Sequence, residues 1–225
     1  MERNNSLIRK GDFVIAYGSM KSGKSEEITS IVHKLEIAKS KGFTNNYQLF
    51  KPSNDTRDGP FIVSRASSLE HPLKYPATFV DYNNPKELLN YLETNTKMVG
   101  IDELQFFDRG IVGVIEELLR NNIYVVGAGL DLDFRREPFG AMSQLINLAT
   151  ERVSKKAICD VCGGMASLTQ RLNPDGSSSS YYSPVVAVEQ VSVLGEKSKK
   201  KLDYIYEARC FHCYEIPDGP FKTEK

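Results

Sequence analysis

The chain has 225 residues, of which 40% are hydrophobic and 26% are charged, a composition typical of soluble globular proteins. Its 29 basic and 29 acidic residues give a formal net charge of zero, which argues against a surface built chiefly to bind nucleic acid or anionic membranes. No apolar run approaches the ~20 residues of a membrane span, and the N-terminus lacks an apolar signal region. We therefore expect a cytoplasmic protein with one α/β domain, or one such domain and a small appendage.

The first motif in the chain is the stretch 18–25, which fits the phosphate-loop pattern G-x-x-x-x-G-K-[ST]. Its members are Gly18, Ser19, Met20, Lys21, Ser22, Gly23, Lys24 and Ser25. The glycines let the backbone wrap around a polyphosphate, the lysine offers a cation to the β- and γ-phosphates, and the last serine offers a hydroxyl to Mg²⁺. A β-prone run before the motif and helically spaced apolar residues after it predict a strand over about 12–17 and a helix to about 41.

Apolar runs and helical patterns then alternate along the chain. The predicted elements are a strand at 47–50, a helix beginning at Pro85, a strand at 98–101, a helix at about 110–121, a strand at 123–127 and a helix at about 140–150. This alternation predicts a parallel sheet covered on both faces, with right-handed crossovers. The polar loop 51–60 follows a strand, where α/β proteins place their ligands, although its composition also fits a plain solvated loop.

Two loops that follow predicted strands carry candidate functional side chains. Asp102 and Glu103 end the apolar run 98–101, and an acidic residue in this position orients the Mg²⁺ of a phosphate loop. One of these two carboxylates could instead cap the next segment. Phe134 and Phe139 lie in the long loop after the strand at 123–127, where aromatic rings form either a small satellite core or the walls of a pocket.

The four cysteines form two C-x-x-C pairs separated by 47 residues. They are Cys159, Cys162, Cys210 and Cys213. Because disulfides are rare in the cytosol, the pairs indicate one tetrahedral zinc site, with free buried thiols or a redox dithiol as alternatives. Between the pairs we expect a hairpin-like or flexible turn at 173–180 and strand character over 181–193. The lysine cluster 197–201 is expected to be a solvated loop tip, with attraction to phosphate as a minor alternative.

Taken in order, these motifs resemble those of the type II thymidine kinases, from about Gly11 to Tyr214. The matching segments are 18–25, 51–52 with 55–57, 102–107, 129–131 with Phe134 and 138–140, 169–172, 191–195, 206–210 and the two cysteine pairs. The chain departs from the compact form of the family by about ten extra residues between 195 and 206, which include the lysine cluster.

The resemblance implies a parallel-sheet, RecA-like P-loop domain at 1–150 that binds ATP, and a zinc-binding domain at 151–225 whose lasso loop reads the nucleoside base. It implies that ATP phosphorylates thymidine, with Glu103 as general base and Asp102 organising Mg²⁺. Arg57 and Gln105 would join the phosphate loop on the nucleotide side. The residues implied for the nucleoside are Met20, Asp55, Phe106, Leu130, Phe134, Phe139, Thr169, Val191, Val193, Gly195 and Tyr206.

The resemblance further implies a homotetramer inhibited by thymidine triphosphate, with no nucleic-acid or membrane partner. One rival interpretation is another phosphate-loop enzyme, either a different deoxynucleoside kinase or a simple ATPase. The other is a zinc-knuckle module that binds nucleic acid, which the neutral charge and the lack of a basic, aromatic surface pattern oppose.

Overall fold

The computed structural model describes residues 7–43, 45–64, 72–185, 188–193, 196–201 and 204–220, with backbone alone at 188–193 and 196–201. Internal contacts divide the chain into two units. The sheet unit runs to Gly18 and adds Gly23–Asp131 and Pro138–Lys155. The cysteine unit comprises Ser19–Ser22, Leu132–Glu137 and the chain from Lys156 onward.

The sheet unit contains eight strands among its described residues. They are β1 (Phe13–Tyr17), β2 (Tyr47–Pro52), β3 (Phe61–Ser64), β4 (Leu73–Pro76), β5 (Thr78–Val80), β6 (Met98–Ile101), β7 (Tyr124–Gly129) and β8 (Glu151–Ser154). Strands β3 and β4 pair as an antiparallel hairpin. The other six form one sheet in the order β5-β2-β6-β7-β1-β8, and all neighbours in it are parallel. The predicted α/β class with a parallel sheet is therefore confirmed.

Helices cover both faces of this sheet. They are α1 (Ser25–Ser40), α2 (Ile111–Arg120) and α3 (Met142–Leu148), with 3₁₀ helices at Pro85–Tyr91 and Leu104–Phe106. Successive residues of a strand point to opposite faces, so β1 sends Val14 into the cluster that contains α1 and Ile15 into the cluster that contains α2 and α3. Burial on both faces explains why the central strands read as continuous apolar runs in the sequence.

Several elements differ from the sequence prediction. The segment beginning at Pro85 is a seven-residue 3₁₀ helix, and the loop predicted to start at 51 starts after Pro52 because β2 extends to that residue. Strand β8 was missed because it is mostly polar, as suits a strand with a single neighbour at the sheet edge. Among the described residues, no helix is both long and apolar enough to cross a bilayer.

The cysteine unit consists of three small antiparallel pairs of strands among its described residues. The strands are β9 (Ala157–Ile158), β10 (Met165–Ala166), β11 (Leu168–Leu172), β12 (Val188–Val193), β13 (Glu196–Lys201) and β14 (Ile205–Arg209). Strand β9 pairs with β10, β11 with β14, and β12 with β13. The predicted turn near 173–180 is present, and Gly176 N donates to Asn173 O over 2.9 Å within it.

Two predictions in the cysteine unit were wrong. The lysine cluster at 197–201 is not a loop tip, because it forms most of β13 and pairs along its whole length with β12. This pairing satisfies backbone groups that a loop would leave to water, and lysines are well tolerated on an edge strand. The strand predicted over 181–193 begins only at Val188. Residues 181–183 instead form a turn, and the Asp218 carboxylate accepts from Tyr181 N over 2.6 Å.

Candidate active site

The carboxyl ends of the central strands bring the two strongest motifs together. Strand β1 leads into Gly18 and β6 leads into Asp102, and parallel strands end at the same edge of a sheet. Ser25, the last residue of the phosphate-loop motif, donates its hydroxyl to Asp102 Oδ2 over 2.8 Å. Asp102 Oδ1 accepts the backbone N–H of Glu103 over 2.9 Å. The predicted serine and aspartate therefore meet directly.

Glu103 has the left-handed backbone conformation, with φ of 52°. This conformation is uncommon for a residue with a side chain, and its strain, ~1–3 kcal/mol, concentrates at functional sites. The Glu103 carboxylate pairs with Arg57 and accepts from Gln105 Nε2. Gln105 is itself buried, and its Oε1 accepts from Leu130 N over 3.0 Å. The carboxylate is therefore held in place by two donors, one of which is anchored in the core.

Arg57 also belongs to a chain of charges at the end of β2 and in the loop after it, in which Lys51 and Asp55 are buried and Arg57 is partly exposed. Its Nε donates to Asp55 Oδ1 over 2.7 Å, and Lys51 Nζ lies 3.0 Å from Asp55 Oδ2. The Lys51 and Asp55 side chains are 3% and 6% exposed. Burial acts to raise the pKa of Asp55, but Arg57 and Lys51 outweigh it, so the pKa lies below its usual value. Lys51 was given no role from the sequence, although it lies in the matching segment 51–52 and next to the proline that ends a buried strand.

Burial shifts the pKa values of two motif residues in opposite directions. Burial, with the nearby charge of Glu103, raises the pKa of Asp102 from 3.8 to about 7. Burial lowers the pKa of Lys24, although Glu103, Asp102 and Asp131 oppose the change. Both shifts show that the charged forms lack solvation here, which is the condition under which charged ligands interact most strongly with a site.

The loop after β7 also contacts Gln105. Phe139 N donates to Asp131 O over 3.0 Å, and the Phe139 ring meets the Phe106 ring edge to face at 5.5 Å. Gly140 has φ of +57°, and a Cβ atom there would lie 2.4 Å from Gln105 O. Only glycine allows this approach, so the structure brings Phe106, Phe139 and Gln105 together.

The middle of the phosphate-loop motif belongs to the cysteine unit. Met20 N donates to Thr169 Oγ1 over 3.1 Å, and Lys21 Nζ lies 2.9 Å from both carboxylate oxygens of Asp160. The Ser22 hydroxyl is buried and has no hydrogen-bond partner in the described part of the chain. Two predicted nucleoside residues, Met20 and Thr169, are therefore direct neighbours.

Two further predicted nucleoside residues of the cysteine unit, Phe134 and Tyr206, lie beside β11. Phe134 is buried, with the guanidinium of Arg171 3.5 Å from its ring centre. Tyr206 lies in β14 opposite Arg171. Strand β12 contains Val191 and Val193, for which only the backbone is described, and Gly195 lies outside the described residues.

The four cysteines form one cluster, and their sulfur atoms all lie within 4.8 Å of one another. Cys162 Sγ and Cys210 Sγ are 3.7 Å apart, much farther than the ~2.05 Å of a disulfide. A tetrahedron with Zn–S bonds of ~2.3 Å has sulfur atoms ~3.8 Å apart. The core beside the cluster is small, with three buried alanines and Cys159, so a metal could supply stability that packing does not. The donor set and its spacing fit zinc.

The thiols also titrate as an interacting group. Burial raises the pKa of Cys159, but the backbone N–H groups of Cys210, Cys162 and Val161 outweigh it and lower the pKa to about 6. The pKa of Cys213 rises to about 12, chiefly through the sulfur atoms of Cys210 and Cys162. Four thiolates at this spacing repel one another and need a cation to ionise together.

A phosphate loop between β1 and α1, with its serine hydrogen-bonded to the aspartate that follows β6, is the arrangement of the nucleotide-binding P-loop proteins. The thymidine kinase family model matches residues 11–214, and the chain belongs to this family. It is therefore an ATP-dependent phosphotransferase that acts on thymidine. The family predicted from the sequence is confirmed.

Proposed function

We propose that Glu103 is the general base that removes the proton from the 5′-hydroxyl of thymidine as the γ-phosphoryl group of ATP is transferred. The observation that carries this role is the strained backbone of Glu103 together with the two donors that fix its carboxylate beside Asp102. A base must be positioned before it can act, and a carboxylate anchored in this way keeps one orientation. The donors leave further lone pairs of the carboxylate for the hydroxyl.

Charge neutralisation would come from the surrounding groups. Lys24 and Arg57 supply cations toward the phosphates, because phosphoryl transfer depends mainly on positioning and electrostatic stabilisation. Ser25 and Asp102 are the hard oxygen ligands that suit Mg²⁺, which would screen the phosphate charge when bound. Proposed nucleotide contacts are Gly18, Ser19, Met20, Lys21, Ser22, Gly23, Lys24, Ser25, Arg57, Asp102 and Gln105.

The nucleoside would be recognised by a set of polar, aliphatic and aromatic residues. Support comes from the Met20–Thr169 hydrogen bond and from the ring pair Phe106–Phe139. Proposed nucleoside residues are Met20, Asp55, Phe106, Leu130, Phe134, Phe139, Thr169, Val191, Val193, Gly195 and Tyr206. We assign ATP binding to the region 1–150 and recognition of the base by the lasso loop to the region 151–225.

The cysteine cluster would hold a structural zinc ion, since four thiolates close a tetrahedral site. Family membership also supports a cytoplasmic homotetramer inhibited by thymidine triphosphate, which carries both the base and a triphosphate. Light scattering would measure the assembly, and inhibition at limiting ATP would measure the feedback.

The deciding experiment is kcat/KM with ATP and three nucleosides: thymidine, deoxyuridine and deoxycytidine. Thymine and uracil offer O4 as acceptor and N3–H as donor, whereas cytosine reverses both. Each buried group left without a partner costs ~1–3 kcal/mol, so deoxycytidine should be a very poor substrate. Deoxyuridine lacks one methyl group, worth ~1–3 kcal/mol in an apolar pocket, and should react moderately well.

The control is ATP hydrolysis without a nucleoside, which should be slow. Equal rates for deoxycytidine and thymidine would indicate a broader deoxynucleoside kinase. Equal ATP turnover with and without thymidine would indicate an ATPase.

A further inference from the structure

Arg171 is a fully buried cation in β11, with 0% of its surface exposed, to which the sequence analysis assigned no role although it lies in the matching segment 169–172. Its guanidinium lies 3.5 Å from the ring centre of Phe134 and 4.4 Å from that of Tyr204. Its Nη1 donates to Pro184 O over 2.6 Å. Within the part of the chain that the structure describes, its Nε and Nη2 have no hydrogen-bond partner.

Burial of the Arg171 guanidinium in this position costs free energy. Arginine cannot lose its proton in a protein, and burying its charge without a carboxylate partner is costly. No carboxylate pairs with Arg171 among the described residues. The charge is instead compensated by two aromatic faces and one carbonyl oxygen, all of which attract a planar cation.

The three partners of Arg171 come from three places in the chain. Pro184 immediately precedes the segment 185–203, and Tyr204 immediately follows it. This segment contains the hairpin β12–β13. Phe134 comes from the separate stretch Leu132–Glu137 of the same cysteine unit. The Arg171 guanidinium therefore contacts the two residues that flank the segment 185–203 and the ring of Phe134.

We propose that Arg171 is a positioning residue that clasps the two ends of the segment 185–203 against Phe134. Because the ends are fixed together, the segment samples fewer conformations, and less ordering remains to be done when a ligand binds. The proposed clasp is inferred only from the contacts of Arg171 with Pro184, Tyr204 and Phe134. Its expected effect on thymidine rests on the proposed function, in which Phe134 and the segment contribute to base recognition.

Limited trypsin digestion tests the clasp without any ligand. The segment carries trypsin sites at Lys197 and at 199–201, so the rate of cutting there reports how firmly the segment is held. We expect Arg171→Met and Arg171→Lys to be cut at least tenfold faster, because both lose the guanidinium contact with two rings and one lost cation–π contact already corresponds to about that equilibrium change. Lysine should fail to rescue because it lacks the flat guanidinium face. Fragments are identified by mass, since the methionine variant also loses a trypsin site.

Matched variants isolate the ring contact from general damage. Tyr204→Leu removes one of the two aromatic faces and should accelerate cutting about tenfold, whereas Tyr204→Phe keeps the face and should behave as wild type. Arg120→Met removes an arginine that is 72% exposed on α2 and should also behave as wild type. If Arg171→Met does not fold, as judged by circular dichroism, Arg171→Lys and Tyr204→Leu decide the outcome.

Kinetics give the second readout. The Arg171 variants should raise the KM for thymidine about tenfold and leave the KM for ATP within twofold, a split that general destabilisation does not produce. Wild-type cutting rates in Arg171→Lys or Tyr204→Leu would overturn the clasp, and so would an equal loss of affinity for both substrates. Wild-type protein that does not phosphorylate thymidine would refute the proposed function, while proteolysis would still decide the clasp.

Discussion

The substitution Glu103→Gln separates proton transfer from binding, because it keeps the shape of the side chain and removes its basicity. Loss of a general base costs ~10²–10⁴ in rate, which corresponds to ~3–5 kcal/mol in the barrier. The substitution also breaks the ion pair with Arg57. The Arg57 and Glu103 side chains are 45% and 16% exposed, and a pair so open to solvent is worth at most ~1 kcal/mol.

These magnitudes predict two different responses. ATP affinity, measured by calorimetry, should change by no more than ~5-fold, because ~1 kcal/mol is the largest effect that the broken pair can have. The kcat at saturating ATP and thymidine should fall by ~10²–10⁴. Loss of the ion pair cannot account for the difference, so the difference measures the chemical step.

Glu116→Gln is the matched control. It breaks a Glu–Arg pair of 3.0 Å on α2, where Glu116 and Arg120 are 39% and 72% exposed, and it should leave kcat unchanged. A kcat for Glu103→Gln within threefold of wild type would refute the assignment of the base. A fall in ATP affinity as large as the fall in kcat would show that Glu103 acts in binding instead.

Three further predictions concern stability and the metal. The pKa of Asp102 is about 7 in the folded protein, against an ordinary value of 3.8. The contribution of Asp102 to the free energy of unfolding is therefore fully present below pH ~4 and is lost as pH rises through ~7, by up to ~4 kcal/mol. In denaturant titrations without nucleotide or Mg²⁺, Asp102→Asn should therefore gain stability relative to wild type between pH 4.5 and 8, and a constant difference would contradict the pKa. Gly140→Ala should lower the free energy of unfolding by at least ~2 kcal/mol more than Gly59→Ala does. Both glycines have positive φ, but only at Gly140 would the added Cβ lie 2.4 Å from a backbone atom, Gln105 O. Equal losses would show that the contact is unimportant. Cys210→Ser should lower the zinc content well below one per chain and weaken thymidine binding more than ATP binding, and full zinc retention would exclude Cys210 as a ligand.

Prediction from the sequence worked best where neighbouring residues carry the information. The phosphate loop and Asp102 each follow a buried strand, and a strand buried on both faces leaves an apolar run that is easy to see. Strand β8 could not be found in this way, because an edge strand needs only one partner and can be polar. The lysine-rich strand β13 was missed for a similar reason, since its pairing with β12 is a property of the hairpin.

Contacts between distant parts of the chain were beyond sequence analysis. Lys51 and Arg171 appear there as ordinary basic residues, and nothing local shows that one is buried against Asp55 and the other between two rings. The left-handed conformation of Glu103 is likewise not visible in the sequence, because no local pattern there marks a positive φ at a residue with a side chain. The assignment of residues to the nucleotide and nucleoside sites stays a prediction, and the fold determines the contacts that surround those residues.

The contacts of the phosphate loop also set an order of events during synthesis. Met20 leaves the ribosome 149 residues before its partner Thr169, and Lys21 leaves 139 residues before Asp160. The nascent chain can build the whole parallel sheet, which ends at Ser154, before either partner is available. A messenger RNA truncated before the codon for Thr169 would still encode the complete phosphate-loop motif 18–25. The phosphate loop of its product would lack the hydrogen bond between Met20 and Thr169.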